Sequence, residues 1–305
     1  MLQYSDLNTY LKETFGKKVY KLSLDGGFTC PNRDGTIGTR GCSFCSAGGS
    51  GEFAASRRLS VTKQIEEAKE RIREKLPKNG EVGYLAYFQA FTNTYASVDV
   101  LQKVYEEAME APDIVALSVA TRPDCLQPEV VALLEKLNRR KPVFVELGLQ
   151  TMHEKSAERI RRGYSLAVFE DAVQRLAQAG IKIVVHLILG LPYETKEDML
   201  ASVRYVCEQP IHGIKLQLLH LLEGTDMGEE YKAMPEDEQE KVFACLSMEA
   251  YLNLVVECLK LIPPSVVIHR LTGDGPKRIL IAPKWSGNKK AVLNALAKKI
   301  REEAK

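Results

Sequence analysis

Long apolar runs, net charge and secretory features are scarce in this sequence of 305 residues. The longest apolar candidate, residues 183–192, is interrupted by His186 and is much shorter than the roughly 18 residues of a membrane span, so we expect no membrane association. The first residues lack the basic start and apolar stretch of a secretory signal, which predicts a cytoplasmic location. The formal net charge of +2 gives no whole-molecule signal for nucleic-acid binding.

Strand and helix patterns alternate along the first two thirds of the chain. Apolar and β-branched segments predict six strands, at residues 19–24, 83–88, 114–120, 143–149, 181–189 and 213–219. Amphipathic segments before and between them predict helices at residues 5–14, 59–75, 98–110, 128–139, 166–179 and 196–206. Strands that alternate with helices indicate a parallel sheet of right-handed β-α-β units. We therefore predict an α/β fold, a partial (β/α)6 TIM-type barrel of parallel strands with a C-terminal α/β extension.

The chain is predicted to divide into an N-terminal helix, the partial barrel and the extension, at residues 1–18, 19–222 and 223–305. Ser5 is the expected N-cap of the first helix, and a glycine-rich loop at residues 25–51 belongs to the barrel. The extension is predicted to hold a long helix at residues 236–261, strands at 266–269 and 279–281, and a basic tail helix. We expect it to close one edge of the barrel rather than to form an independent domain.

Seven cysteines in a chain without a secretory signal argue against a disulfide framework. Cys30, Cys42 and Cys45 lie together in the glycine-rich loop, with the spacing C-x11-C-x2-C. Three thiolates on one loop suit a cubane iron–sulfur cluster with one iron left open for a small molecule. A closed zinc site usually takes a fourth ligand, and the loop holds no further Cys or His, but spacing alone leaves zinc possible. The remaining cysteines are scattered and would have to converge to hold a second cluster: Cys125, Cys207, Cys245 and Cys258.

The segment from residue 19 to 222 resembles the radical S-adenosylmethionine (SAM) superfamily, in a branch with a long first cysteine spacing. Phe44 stands between the last two cysteines, where the superfamily generally places an aromatic residue beside the SAM adenine. The chain looks most similar to a bacterial family related to the catalytic subunit of the elongator complex, through residues 88–95, 120–126 and 269–273. The resemblance implies that the three cysteines hold a [4Fe–4S] cluster. It also implies reductive cleavage of SAM to a 5′-deoxyadenosyl radical, which abstracts hydrogen from the substrate.

The resemblance further implies which residues contact SAM. Gln150 matches a residue that touches the SAM ribose, and Arg162 matches an arginine that commonly pairs with the SAM carboxylate. Ile188 and Gly190 lie in a segment like the G-x-I-x-G-x-P motif, which implies that Ile188 packs on adenine and Gly190 lets the backbone approach it. A Gly-Gly-Glu motif normally holds the SAM amino group after the second strand, but this chain lacks it there. The candidates in its place are Gln89, Thr92 and Asn93.

No motif fixes the residues that face the substrate. The candidates are polar residues near strand ends, namely Cys125, His186, Lys215, Gln217 and His220. The resemblance to the elongator subunit implies a tRNA substrate and maturation of an aminomethyl-type side chain at C5 of the wobble uridine. It also implies an electron donor, either a reductase or a protein of the flavodoxin or ferredoxin type. Basic residues at 139–141 and in the tail could bind phosphates.

Two alternatives remain open from the sequence. One is a radical SAM enzyme that acts on a small metabolite or a cofactor precursor. The other is a non-catalytic protein whose cysteines hold zinc. The sequence makes no prediction of the oligomeric state.

Overall fold

The computed structural model describes residues 4–52, 54–77, 80–244, 247–273 and 275–303. The strands in these residues are β1 (Ser5–Asp6), β2 (Lys18–Leu24), β3 (Val82–Phe88), β4 (Ile114–Thr121), β5 (Val143–Gln150), β6 (Lys182–Leu189), β7 (Gly213–Leu218), β8 (Leu221–Leu222), β9 (Val267–Arg270) and β10 (Leu280–Ala282). Eight of them form one parallel sheet in the order β1-β9-β7-β6-β5-β4-β3-β2, while β8 and β10 form a separate antiparallel pair. The predicted parallel partial barrel is confirmed, with β2 to β7 at the six predicted positions.

Helices precede, connect and follow the strands, and most of them cover the outer face of the large sheet. They are α1 (Leu7–Phe15), α2 (Val61–Ile72), α3 (Val98–Glu110), α4 (Pro128–Asn138), α5 (Glu154–Arg159), α6 (Leu166–Gln178), α7 (Lys196–Cys207), α8 (Asp226–Ala233), α9 (Glu236–Val242), α10 (Met248–Leu261) and α11 (Lys289–Glu302). The largest apolar cluster of the described residues joins the strands to the buried faces of α2, α3, α4, α6, α7, α10 and α11. Side-chain caps fix several starts, as at α7, where Thr195 and Asp198 form a reciprocal capping box. None of the described helices is both long and apolar enough to cross a membrane.

The N-terminal prediction is wrong in its first residues. Ser5 is not a helix cap, because β1 pairs in parallel with β9 and Ser5 lies opposite Val267. The cap is Asp6, whose Oδ1 accepts hydrogen bonds from the backbone N–H groups of Asn8 and Thr9 at 2.9 and 3.2 Å. The N-terminal segment therefore extends the sheet before its helix begins.

The predicted long helix at residues 236–261 is also wrong, because the chain breaks into α9 and α10. Phe243 ends α9 and is 2% exposed in an apolar cluster with Ile188 and Leu191. Ser247 caps the new helix by accepting a hydrogen bond from the Ala250 N–H at 3.1 Å. Burial of Phe243 against the barrel requires the turn that a continuous helix would not allow.

Side chains inside the barrel lie in three layers, because alternate residues of a strand face the same side. The lowest layer is apolar and packs around α1 at the N-terminal ends of the strands, with members Val19, Leu85, Ala116, Phe144 and Val184. The middle layer, two residues further along each strand, is polar and consists of Lys21, Tyr87, Ser118, Glu146, His186 and Lys215. The upper layer consists of Ser23, Gln89, Ala120, Gly148 and Ile188, all of which line a cavity. The fold thus places a polar floor beneath a cavity at the C-terminal ends of the strands.

Candidate active site

A cavity of about 390 Å³ opens at the C-terminal ends of the parallel strands. The upper interior layer and part of the middle layer, namely Tyr87, Glu146, His186 and Lys215, line it from below, and the cysteine loop covers it from one side. Cys30, Cys42 and Cys45 all line this cavity. The C-terminal ends of barrel strands are where enzymes of this architecture build their active sites.

Hydrogen bonds hold the cysteine loop against the barrel. The Asn32 side-chain N–H group donates to the Arg161 carbonyl at 2.6 Å and contacts the Cys42 sulfur at 3.5 Å. Arg33 donates to the carbonyl oxygens of Cys45 and Ser46 at 3.0 and 2.6 Å. These bonds fix the loop backbone, so the three sulfurs keep their places on the cavity wall.

The chemistry of the three thiols fits an iron–sulfur cluster. Burial raises the pKa of Cys42 to about 12 and also raises the pKa of Cys45, so without a bound cation both are neutral thiols. The irons of a cluster would displace these protons, and the Asn32 N–H near Cys42 is the type of donor that tunes a cluster sulfur. Among the described residues no three His, Cys, Asp or Glu stand close enough for a single ion. The three cysteines on one cavity wall are the residues that would hold such a cluster.

Several predicted SAM contacts lie on the walls of the same cavity. Phe44 packs against the apolar cluster that contains Ile188, and both line the cavity. Gln150 lines it with a backbone φ of +67°, a conformation that is uncommon outside glycine and that aims its side chain back over Gly148. Gln89 and Thr92 also line the cavity, although Gln89 donates to the Ser50 carbonyl at 2.6 Å. The contacts of these residues with SAM remain predictions.

Arg162 touches the cavity, but its guanidinium already has partners. It donates to the carbonyl oxygens of Tyr164 and Thr151 at 3.0 and 2.8 Å and pairs with Glu154 at 2.9 Å. With a residue exposure of 1%, Arg162 holds the segment after β5 in place and offers little to a SAM carboxylate.

Asn93 and Gly190 do not line the cavity. Asn93 is fully buried, and its amide N–H groups donate to the carbonyl oxygens of Phe88 and Ala120 at 3.1 and 2.8 Å. These bonds stabilise the turn after β3. Gly190 follows β6 with a φ of +91°, so its immediate role is the turn at the strand end.

Glu146 is the centre of the polar middle layer, and its side chain is fully buried. One carboxylate oxygen accepts hydrogen bonds from Lys21 at 2.9 Å and from Ser118 at 2.7 Å. The other carboxylate oxygen forms an ion pair with Lys215 and lies 2.7 Å from the His186 Nε2. Four side chains from four strands therefore converge on one carboxylate.

The charges of this layer follow from its burial. Burial would raise the pKa of Glu146, but Lys21, Lys215 and His186 outweigh it and hold that pKa well below its usual range. Burial lowers the pKa of Lys215, with Lys21 and Arg270 adding to the effect against the attraction of Glu146. Burial and Lys215 lower the pKa of His186 to about 4, so this imidazole is neutral near pH 7.

The sequence analysis found His186 and Lys215 but missed their partners. Lys21, Tyr87 and Glu146 face the same interior, and the Tyr87 hydroxyl lies 3.1 Å from the Lys215 Nζ. Both ammonium groups also lie near the Tyr87 ring, 4.4 Å from its centre for Lys21 and 4.6 Å for Lys215. The sequence did contain a signal for Lys21 and Glu146, because charged residues are unusual in the middle of predicted buried strands.

The other candidates have different surroundings. Gln217 and His220 line the cavity, whereas Cys125 is buried outside its lining beside Asp124, and burial raises the pKa of its thiol to about 12. Cys245 lies outside the described residues. Basic residues 139–141 lie between α4 and β5, at the N-terminal ends of the strands and therefore opposite the cavity mouth.

Comparisons with known proteins identify the family. A model described as the radical SAM superfamily matches residues 34–206, and one for the radical SAM C-terminal domain matches residues 211–302. YtqA of Bacillus subtilis (strain 168) is 46% identical over 298 residues, which cover 98% of this chain and 89% of that protein. The chain belongs to the radical SAM superfamily. Membership confirms the predicted cofactors, a [4Fe–4S] cluster and SAM.

Two further matches connect this radical SAM protein to the elongator family. The tRNA uridine(34) acetyltransferase of Methanocaldococcus jannaschii is 28% identical over 217 residues, which are 68% of this chain and 36% of that protein. The solved structure of Methanocaldococcus infernus Elp3 has a TM-score of 0.65 at 18% identity, covering 93% of this chain and 63% of that chain. The Elp3 structure confirms the fold, and the sequence similarity to elongator proteins confirms the predicted relationship to the elongator subunit.

Proposed function

We propose that this radical SAM enzyme matures the C5 side chain of the wobble uridine in tRNA, acting on an aminomethyl-type group. The observation that carries the radical chemistry is the set of three cysteines on one cavity above a polar interior layer. The similarity to a protein named tRNA uridine(34) acetyltransferase supports the choice of tRNA and of this nucleotide. That similarity spans 36% of the relative, so acetyl transfer forms no part of the proposal.

The proposed roles follow from where the residues lie. Cys30, Cys42 and Cys45 would hold the cluster, which when bound supplies one electron for the cleavage of SAM and thereby starts hydrogen abstraction. Phe44 and Ile188 form an apolar wall that would exclude water from the adenine side of the cavity. The polar layer beneath would then face the substrate.

The rim of the cavity carries cations that suit a phosphate backbone. Gly275 and Pro276 line the cavity, and the next two residues, Lys277 and Arg278, are exposed. Arg40, in the cysteine loop, keeps 70% of its side chain exposed although it pairs with Asp226. Such contacts position a nucleic acid, while the base that enters the cavity would decide the specificity. The proposed electron donor is a reductase or a protein of the flavodoxin or ferredoxin type.

The test is mass spectrometry of nucleosides from bulk tRNA of cells with and without this gene. We expect loss of one C5-modified uridine and accumulation of its precursor. The gene for Cys42→Ala should leave the defect in place, because that thiol is a proposed cluster ligand. The matched Cys207→Ala gene should restore the nucleoside, since Cys207 ends α7 and does not line the cavity.

The outcome separates the two open substrate classes. An unchanged nucleoside profile under several growth conditions would reject tRNA and favour a small metabolite or cofactor precursor. Restoration by Cys42→Ala would instead reject the assigned cluster ligand.

A further inference from the structure

Positive charge exceeds negative charge at the floor of the cavity. Among the described residues Glu146 is the one carboxylate of the middle interior layer, where it pairs with Lys21 and Lys215, and Arg270 lies beside Lys215 as a third cation. His186 adds no charge near pH 7, because its pKa is about 4. Even if Lys215 is counted as neutral, the cations Lys21 and Arg270 outnumber the single carboxylate of Glu146. A buried surplus of positive charge is costly and is relieved by an anion.

Arg270 is the member of this group that has no counter-ion among the described residues. It lies opposite Lys215 in the pairing of β9 with β7, and it lines the cavity. Its guanidinium forms no hydrogen bond and no ion pair with the residues that the structure describes. Lys215 and Lys21, by contrast, already share the two oxygens of Glu146. Arg270 therefore presents unused donors to the cavity.

The charged floor is separate from the cysteine end of the cavity. The thiols of Cys42 and Cys45 have Arg122 and Arg33, respectively, as their cationic neighbours. At the floor, the cationic neighbours of Tyr87 and His186 include Arg270. A molecule that spans the cavity would meet the cluster end on one side and the cationic floor on the other.

We propose that Arg270, with Lys215 beside it, binds a carboxylate of the substrate at the cavity floor. A guanidinium offers two parallel N–H donors that match the two oxygens of a carboxylate. A backbone phosphate is linked on both sides and stays at a protein surface, whereas a terminal carboxylate on a slender chain can reach this floor. The assignment rests on the proposed function and adds the charge of the substrate group that the enzyme selects.

The first test uses acetate alone as the probe for carboxylate binding. Thermal unfolding of the cluster-loaded, SAM-bound enzyme is followed with sodium acetate, with neutral acetamide and with sodium chloride at equal concentrations. We expect acetate to raise the Tm beyond the other two, since a ligand of the folded state stabilises it. In Arg270→Gln the apparent Kd for acetate should rise at least tenfold, as loss of a charged bidentate contact implies.

Two matched variants and a second ligand control this test. Arg270→Lys keeps the charge and should recover part of the acetate affinity, and it serves as the readout if glutamine disrupts β9. Arg301→Gln, on exposed α11, should leave acetate binding unchanged. The Kd for SAM should stay within twofold in all three variants, because the site is for substrate and not for the SAM carboxylate.

Each result bears on the proposal separately from the tRNA function. Equal Tm shifts from acetate and acetamide in the wild type, equal acetate affinity in Arg270→Gln, or a parallel loss of SAM affinity would overturn it. Arg270-dependent acetate binding together with an unchanged tRNA profile would support the carboxylate site and reject tRNA as the substrate. If the tRNA profile changes but acetate binding does not depend on Arg270, the tRNA function stands and this site is rejected.

Discussion

At the scale of single residues, Glu146 organises the polar interior. Its two oxygens hold Lys21 from β2, Ser118 from β4 and Lys215 from β7, with His186 from β6 beside them. Long lysine side chains in an open cavity would otherwise adopt many rotamers, and fixing them costs entropy. A shared carboxylate reduces that freedom before any substrate enters, so the floor is organised in advance.

Glu146→Gln should destabilise the protein strongly. The change removes the anion between the buried Lys215 and the partly exposed Lys21, and breaking a buried pair commonly costs about 3–5 kcal/mol. Lys21 keeps 24% of its side chain exposed, so hydration reduces the expected loss of unfolding free energy to about 2–4 kcal/mol. The measurement is the urea midpoint under anaerobic conditions.

The control for this variant is Glu135→Gln, which breaks a surface i,i+4 pair with Arg139. It should change the unfolding free energy by less than about 0.5 kcal/mol. Adding Lys215→Met to Glu146→Gln should recover part of the loss, because one uncompensated cation is removed. Equal losses in Glu135→Gln and Glu146→Gln would contradict the central role of Glu146.

The sequence predicted some site residues and missed others for a physical reason. Cys30, Cys42 and Cys45 could be found because local spacing in one loop is visible in the sequence. Lys21 and Glu146 are 125 positions apart and meet through sheet closure. Each of these charged residues stands in an apolar strand segment, which marks it as unusual in the sequence. Which partners meet, however, depends on the number of intervening strands and on their register.

At the scale of elements, the turn after β6 depends on one glycine. Gly190 has a φ of +91°, a conformation that residues with a Cβ rarely adopt. Gly190→Ala should therefore lower the unfolding free energy by about 1–2 kcal/mol, read from the urea midpoint.

The matched change is Gly287→Ala. Gly287 does not have a positive φ, and an added Cβ would have its nearest contact at 3.7 Å, an ordinary packing distance. That variant should be neutral or more stable by up to about 1 kcal/mol. A neutral Gly190→Ala would show that the turn tolerates a side chain.

Element positions were predictable where burial dominates and less so where tertiary packing decides. The strands β2 to β7 lie within one residue of their predicted limits, because runs of apolar residues mark strands covered by helices. The break between α9 and α10 follows from the burial of Phe243 in the apolar cluster that contains Ile188, a residue more than 50 positions earlier in the chain. Ser247, a good N-cap residue, was the one local sign of that second start.

At the scale of the whole molecule, the barrel holds three half-buried histidines in their neutral forms. Burial lowers the pKa values of His186 and His212 to about 4, and it lowers that of His269 well below its usual range. Unfolding exposes all three to water, where a histidine pKa is about 6.5. Below that pH the unfolded chain binds more protons than the folded chain, so the folded state loses stability as pH falls.

The resulting acid sensitivity can be assigned to one residue with His186→Gln. Glutamine keeps an N–H donor for Glu146 but cannot titrate, so the group no longer favours the unfolded chain in acid. A histidine that stays neutral in the folded state lowers the free energy of unfolding by about 1.4 kcal/mol for each pH unit below 6.5, or by about 2 kcal/mol at pH 5. The drop in unfolding free energy between pH 7 and pH 5, from urea midpoints, should be smaller in this variant by about that amount.

His153→Gln, at the partly exposed start of α5, is the control for a histidine outside the barrel. If His186→Gln and the wild type lose the same stability between these pH values, His186 is protonated in the folded barrel, and the cationic floor carries one charge more than its geometry indicates.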